Sequence, residues 1–147
     1  MPDNFKFYLR VRYSECDAQK IVFNARYSDY VDVASVEFLR AISPEGVFIE
    51  YHLVKQTVEW KAPARFDQVL ELSISVLHLG STSFTLLTEI RIAGQEQVIT
   101  RIETVNVFID HKTMQKTPLP PELRAALEKG APGVLVDHAG YLKSVTL

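Results

Sequence analysis

One cysteine, Cys16, in 147 residues excludes an internal disulfide and any cysteine-built metal centre. The four histidines, His52, His78, His111 and His138, are scattered without ligand spacing, so no metal site is expected. Glycine is scarce at six residues, and no glycine-rich phosphate loop stands among them. Any phosphate contact must therefore come from side chains. The chain also lacks a positive excess. Sixteen Lys and Arg against 18 Asp and Glu leave a net charge of -2, which argues against general nucleic-acid binding. No apolar run approaches the ~20 residues of a membrane-spanning helix. The opening Met-Pro-Asp-Asn-Phe-Lys has no signal-peptide core. These absences lead to the expectation of a cytoplasmic protein without cofactor, nucleic acid or membrane partner.

What is present is an ordinary globular composition, with 47% apolar and 23% charged residues. That length fits one domain, with a core over about residues 5–127 and a weakly patterned tail at 131–147. Phe7, Leu9, Val11 and Tyr13 alternate with polar residues, as in a half-buried first strand. From Asn24 the period turns helical, with Tyr27, Tyr30, Val31, Ala34, Phe38, Ala41 and Ile42 on one stripe. Val33, Val36 and Leu39 widen it, so the helix reads as buried nearly all round. Asn24 is the expected N-cap, and Ser43-Pro44 the end.

Four long alternating runs follow. Val54, Gln56, Val58 and Trp60 share a face, as do Leu70, Leu72, Ile74 and Val76. Phe84, Leu86, Thr88, Ile90 and Ile92 form the next, and Ile99, Arg101, Glu103, Val105, Val107 and Ile109 the last. Gly80-Ser81 and Ala93-Gly94 join neighbours as antiparallel hairpins. Pro121 suits the first turn of a short helix ending near Gly130. The fold class is α+β, a long antiparallel sheet curling around one central helix.

The stretch between the first strand and the helix carries the chemistry. It reads Tyr13-Ser-Glu-Cys-Asp17-Ala-Gln-Lys-Ile-Val-Phe-Asn24. Asp17 offers a base or nucleophile, and the helix start at Asn24 offers free N–H groups and partial positive charge. Acyl transfer needs those two parts.

This block, with Ile21-Val-Phe23, Asn24-Ala-Arg-Tyr27, Trp60-Lys-Ala-Pro-Ala-Arg65-Phe-Asp67 and Leu79-Gly-Ser-Thr-Ser83-Phe, resembles the hotdog-fold acyl-CoA thioesterases of the 4-hydroxybenzoyl-CoA thioesterase family. The resemblance covers residues 5–127 and implies a helix wrapped by a curved, mostly antiparallel five-stranded sheet. It also implies dimers with a continuous sheet, often tetramers, and active sites at the dimer interface. Carried over, Asp17 becomes the catalytic carboxylate and the Asn24 N–H the donor to the thioester oxygen. Ile21, Val22, Phe23 and Tyr27 become candidate walls of the acyl channel. Ser81, Thr82, Ser83, Lys61 and Arg65 become candidate substrate contacts. Many relatives have glycine where Lys20 stands, which bears on the loop if that backbone needs positive φ.

The remaining candidates read as structural. Glu15 is expected at the surface, turned away from Asp17, and Cys16 as a small, partly buried thiol. Asp29, Asp32 and Glu37 are expected to face solvent or a subunit interface, and Lys112 and Lys116 to solvate the surface. The expected reaction is acyl-CoA hydrolysis by a homo-oligomer. Alternatives are an acyl-carrier-protein thioesterase, another acyl-CoA enzyme of this fold, or a non-catalytic acyl-CoA-binding subunit. A hydratase is disfavoured, because no histidine follows Asp17 until His52.

Overall fold

The computed structural model describes residues 4–45 and 49–145. Residues 1–3, part of the stretch read for a targeting signal, lie outside the described residues, as do the last two of the tail. Strand β1 (Phe5–Arg10) leads through two single 3-10 turns, Tyr13–Glu15 and Asn24–Arg26, into helix α1 (Tyr27–Ile42). Then come β2 (Tyr51–Trp60), β3 (Val69–Leu79), β4 (Ser83–Ile92), β5 (Val98–Phe108), α2 (Pro121–Lys129), β6 (Leu135–Asp137) and α3 (Tyr141–Val145). The sheet order is β2-β5-β4-β3-β1-β6. All neighbours pair antiparallel except β1 with β6. This is the open hotdog sheet with a long helix laid on one face.

Helix α1 buries Tyr27, Tyr30, Val31, Ala34, Phe38 and Ile42, as its period predicts, together with Ser35 and Leu39, while Ala41, expected on the same stripe, is exposed near the helix end. They meet Phe5, Phe7, Leu70, Leu72, Leu86 and Ile90 from the sheet in one core. Each large side chain so buried contributes about 1.5–3 kcal/mol. Phe38 meets Phe5 edge to face, centroids 5.4 Å apart.

Three expectations need correction. The helix is not enclosed: Val33 and Val36 stand 46% and 45% exposed, beside exposed Asp29, Asp32 and Arg40. A single sheet covers one side of a helix only. On β5 the inward face is Thr100, Ile102, Thr104, Asn106 and Phe108, all buried. Its three polar members disguised it. Of the run read as a face, the stretch from Arg101 to Val107 points outward, where Arg101 pairs with Glu89 across the strands at 3.3 Å, while Ile99 and Ile109 at its ends are buried.

The sheet also has six strands, not five. The tail contributes β6, in register with Lys6, Phe7 and Tyr8. Asp137 then accepts N–H bonds from Ala139, Tyr141 and Leu142, capping α3, and Tyr141 stacks on Tyr8. Three residues are too few for alternation to show in a sequence.

Candidate active site

The Asp17 segment is a miniature hairpin. Cys16 bridges to Val22, the Asp17 N–H donates to the Ile21 carbonyl at 2.9 Å, and the Phe23 N–H donates to the Glu15 carbonyl at 3.0 Å. The tip closes where the Lys20 N–H donates to the Asp17 carbonyl at 2.9 Å. Lys20 has φ of 62°, the left-handed conformation for which glycine is the usual choice. A second ladder fixes the hairpin to the body. The Val22 N–H donates to the Ala64 carbonyl, and the Phe66 N–H to the Lys20 carbonyl. Ile21 pairs with Arg65.

Asp17 is exposed, and its Oδ1 accepts the N–H groups of Gln19 at 2.8 Å and Ile21 at 3.3 Å. Both bonds fall on Oδ1 and leave Oδ2 with no partner among the described residues. Asn24 is the first residue of the helical segment rather than its cap, a position Phe23 takes with φ of -66° and ψ of 136°. The Asn24 N–H is therefore one of the orphan donors of a helix start. It finds no acceptor among the described residues, whereas the Arg26 N–H already returns to the Phe23 carbonyl.

Beside that donor opens a cavity of about 240 Å³, lined by Ile21, Val22, Asn24, Tyr27, Trp60, Lys61, Ala62 and Pro63. Tyr27 is almost fully buried, and its hydroxyl accepts the Ala64 N–H at 3.2 Å. Burial raises its pKa, keeping it a neutral wall. Trp60, 51% exposed at the end of β2, was not among the expected site residues. Its signal was its place beside Lys61 in the Trp60–Arg65 block. Phe23 does not line this cavity and stands 56% exposed. Arg65 is exposed next to the hairpin.

Ser81, Thr82 and Ser83 are not brought to this place within one chain. Ser83 pairs with Val107, which pairs with His52, at one end of the sheet; Trp60 pairs with Thr100 at the other. The turn is held locally, by Gly80 N–H to the Ser83 carbonyl and Leu119 N–H to the Ser81 carbonyl.

Glu15 overturns its expected surface role. It is 5% exposed, because the 3-10 turn breaks the strand alternation that would have turned it outward. Its Oε1 accepts the Arg12 N–H at 2.8 Å and the Tyr30 hydroxyl at 2.8 Å. Its Oε2 accepts Arg12 Nε and Nη2 at 2.9 and 2.7 Å. Burial works against its charge, but these donors outweigh burial and hold its carboxyl below the usual range. A cavity of about 310 Å³, on the β1 flank of α1, includes Glu15, Arg12, Tyr30, Phe7, Val33 and His138 in its lining. It is larger than the one beside Asn24 but does not include Asn24, and Asp17 lines neither of the two.

The other candidates sit apart. Cys16 is half-buried, its pKa raised by burial and by Glu15 and Asp17. Asp29 pairs with Arg26, and Glu37 with Arg40. Burial and then Asp29 raise the pKa of Asp32. No group of metal-binding side chains occurs among the described residues, and no described helix is long and apolar enough to cross a membrane.

Residues 11–127 match the family described as the Thioesterase-like superfamily. The acyl-CoA thioester hydrolase YbgC of Escherichia coli is 28% identical over 130 residues, covering 85% of this chain and 96% of its own. A crystal structure of a 1,4-dihydroxy-2-naphthoyl-CoA thioesterase from Synechocystis has a TM-score of 0.73 at 20% identity, covering 84% of this chain and 95% of that one. The structure of the gentisyl-coenzyme A thioesterase BH1999 has a TM-score of 0.71 at 26% identity, covering 84% and 98%.

Proposed function

This chain belongs to the Thioesterase-like superfamily and is a thioester hydrolase, and on that premise we propose that it splits an acyl-CoA into the free acid and CoA with Asp17 and the Asn24 N–H as its working pair. The observation that supports the reading is the hairpin at 16–22, which carries the exposed Asp17 on a segment bonded through Glu15 to Phe23, the residue before Asn24, whose N–H has no acceptor among the described residues. The N–H polarises the thioester carbonyl and stabilises the oxyanion as it forms. Asp17 acts through Oδ2, as base toward water or as nucleophile toward the carbonyl carbon. The acyl group enters the cavity walled by Ile21, Val22, Tyr27 and Trp60. Lys61 in the cavity lining and Arg65, exposed where it pairs with Ile21, meet the phosphates of CoA.

The active unit in this reading is a pair of chains. Strand β2 is a ten-residue edge strand, with Leu53, Val54 and Trp60 46%, 59% and 51% exposed. A long apolar edge of this kind calls for a partner. Two-fold antiparallel pairing sets the Tyr51 end of one β2 beside the Trp60 end of the other. It thereby carries the second copy's Ser81–Ser83 turn toward the first copy's cavity, the reading that supports those residues as substrate contacts.

The test is hydrolysis of short, medium, long and aromatic acyl-CoAs, followed with a thiol reagent. Asp17→Asn keeps the Oδ1 acceptor but removes the charge, and should lower kcat by about 10²–10⁴-fold on every substrate that is turned over. Unchanged turnover would remove Asp17 from the mechanism, and no turnover of any substrate by the wild type would leave a binding subunit.

A further inference from the structure

We infer that Glu15 is the positioning residue of this site, holding the Asp17 arm and the Asn24 arm at their working separation through Tyr30 and Arg12. The inference rests on the reading of Asp17 and Asn24 given above. Glu15 touches both arms at once. Through the chain it is two residues from Asp17, and its carbonyl accepts the N–H of Phe23, the residue that immediately precedes Asn24. Its side chain then reaches past the hairpin to the Tyr30 hydroxyl on the first turn of α1, and back to the guanidinium and N–H of Arg12, two residues beyond β1. Strand, hairpin and helix therefore share one carboxylate.

The chemistry of that carboxylate is unsuited to a passive role or to reaction. It is buried, and its two oxygens already accept four hydrogen bonds. A buried carboxylate is costly unless every lone pair is satisfied, and each of the four donors that satisfy Glu15 belongs to a different part of the frame or a different atom of Arg12. Tyr30 is locked as the neutral donor, because burial and then Glu15 push its pKa far up. If the hydroxyl left the carboxylate, the buried Tyr30 would lose its acceptor, so the first turn of α1 is tied to the hairpin. Reacting groups displaced by about 1 Å lose on the order of 10²-fold in rate, which is the loss this tether prevents.

The experiment compares Tyr30→Phe, Glu15→Gln and the double variant with wild type, using acyl-CoA hydrolysis and amide hydrogen exchange. Tyr30→Phe removes one hydroxyl from a ring that stays buried, so it carries the test even where Glu15 variants fold poorly. The expected result, well below each variant's melting temperature, is a kcat lowered by ~10–100-fold with KM little changed and the acid limb of the pH–rate profile unmoved. The Phe23 amide should exchange faster in each variant, and the double variant should lose less than the product of the single losses. A kcat of the folded variants equal to wild type, with Phe23 still protected, overturns the inference and makes Glu15 a stability residue only. A shifted acid limb overturns it differently, by making Glu15 the titrating base. Should wild type hydrolyse no acyl-CoA, the reading of the reaction fails, while unchanged Phe23 exchange in Tyr30→Phe still decides the tether against us.

Discussion

Lys20 closes its turn on Asp17: its N–H donates to the Asp17 carbonyl at 2.9 Å while its own backbone sits at φ of 62°. A β-carbon in that conformation costs roughly 1–2 kcal/mol. The turn is held regardless, because the Lys20 carbonyl also accepts the Phe66 N–H and Asp17 Oδ1 gathers the N–H groups of Gln19 and Ile21.

Lys20→Gly should therefore stabilise the fold. Relief of the strained φ is opposed by about 0.5–1 kcal/mol of extra freedom in the unfolded chain, leaving a net gain of up to about 1 kcal/mol. Urea denaturation reads this directly. Hydrolysis should be unchanged, since only the backbone of Lys20 is used; a large fall in kcat/KM would assign its ammonium to the substrate.

Asn24→Pro isolates the backbone donor. Proline is accepted at the first position of a helix, and Phe23, at φ of -66° and ψ of 136°, already has the extended backbone a following proline requires. The variant should fold and lose about 10²–10³-fold in kcat. Asn24→Ala keeps the N–H and should retain kcat. Equal losses in the two variants would assign the role to the Asn24 side chain instead.

Leu53→Lys with Val54→Lys charges the exposed edge of β2. Sedimentation should show a smaller species than wild type, and hydrolysis should fall in proportion to the pairs lost. A dimer that survives these charges would place the contact on another face.

Acid stability should bear the mark of Glu15. Its carboxyl titrates below its usual range in the fold, so the unfolded chain takes up its proton first as pH falls. The stability that this group supplies is complete above roughly pH 4.3, the ordinary carboxyl value, and drains away as pH drops through the lower folded value. Urea midpoints measured across that window should fall less steeply for Glu15→Gln than for wild type. Parallel slopes would mean that Glu15 is not ionised in the fold.

The period of α1 and the alternation of β3 and β4 were legible because burial there is one-sided and the runs are long, whereas β2 was legible as a strand although neither of its faces is buried. Asp17 was readable as a candidate, since the block around it has a recognisable order of residue types. Glu15 was not legible. Its fate depends on a 3-10 turn of three residues and on Tyr30, fifteen positions away, and neither local period nor composition records such a contact. The inward face of β5 was misread for a related reason. Thr100, Thr104 and Asn106 lie in the core through the neighbours they acquire, while outward Val105 and Val107 look more hydrophobic than their place. Trp60 was visible as a strand residue, but its membership of the cavity follows from the return of the chain at 61–64 beside Val22.

Strand β6 bears on how many copies can join. By lying along β1, it occupies the border of the sheet opposite β2 with a short segment that runs directly into the capped α3. The sheet is thus left with one long unsatisfied border, and a body with a single adhesive border is consumed when it meets its own copy. If β2 pairs as proposed above, strand addition would end at two copies, with the tail as the terminator that keeps the sheet from extending into a fibre.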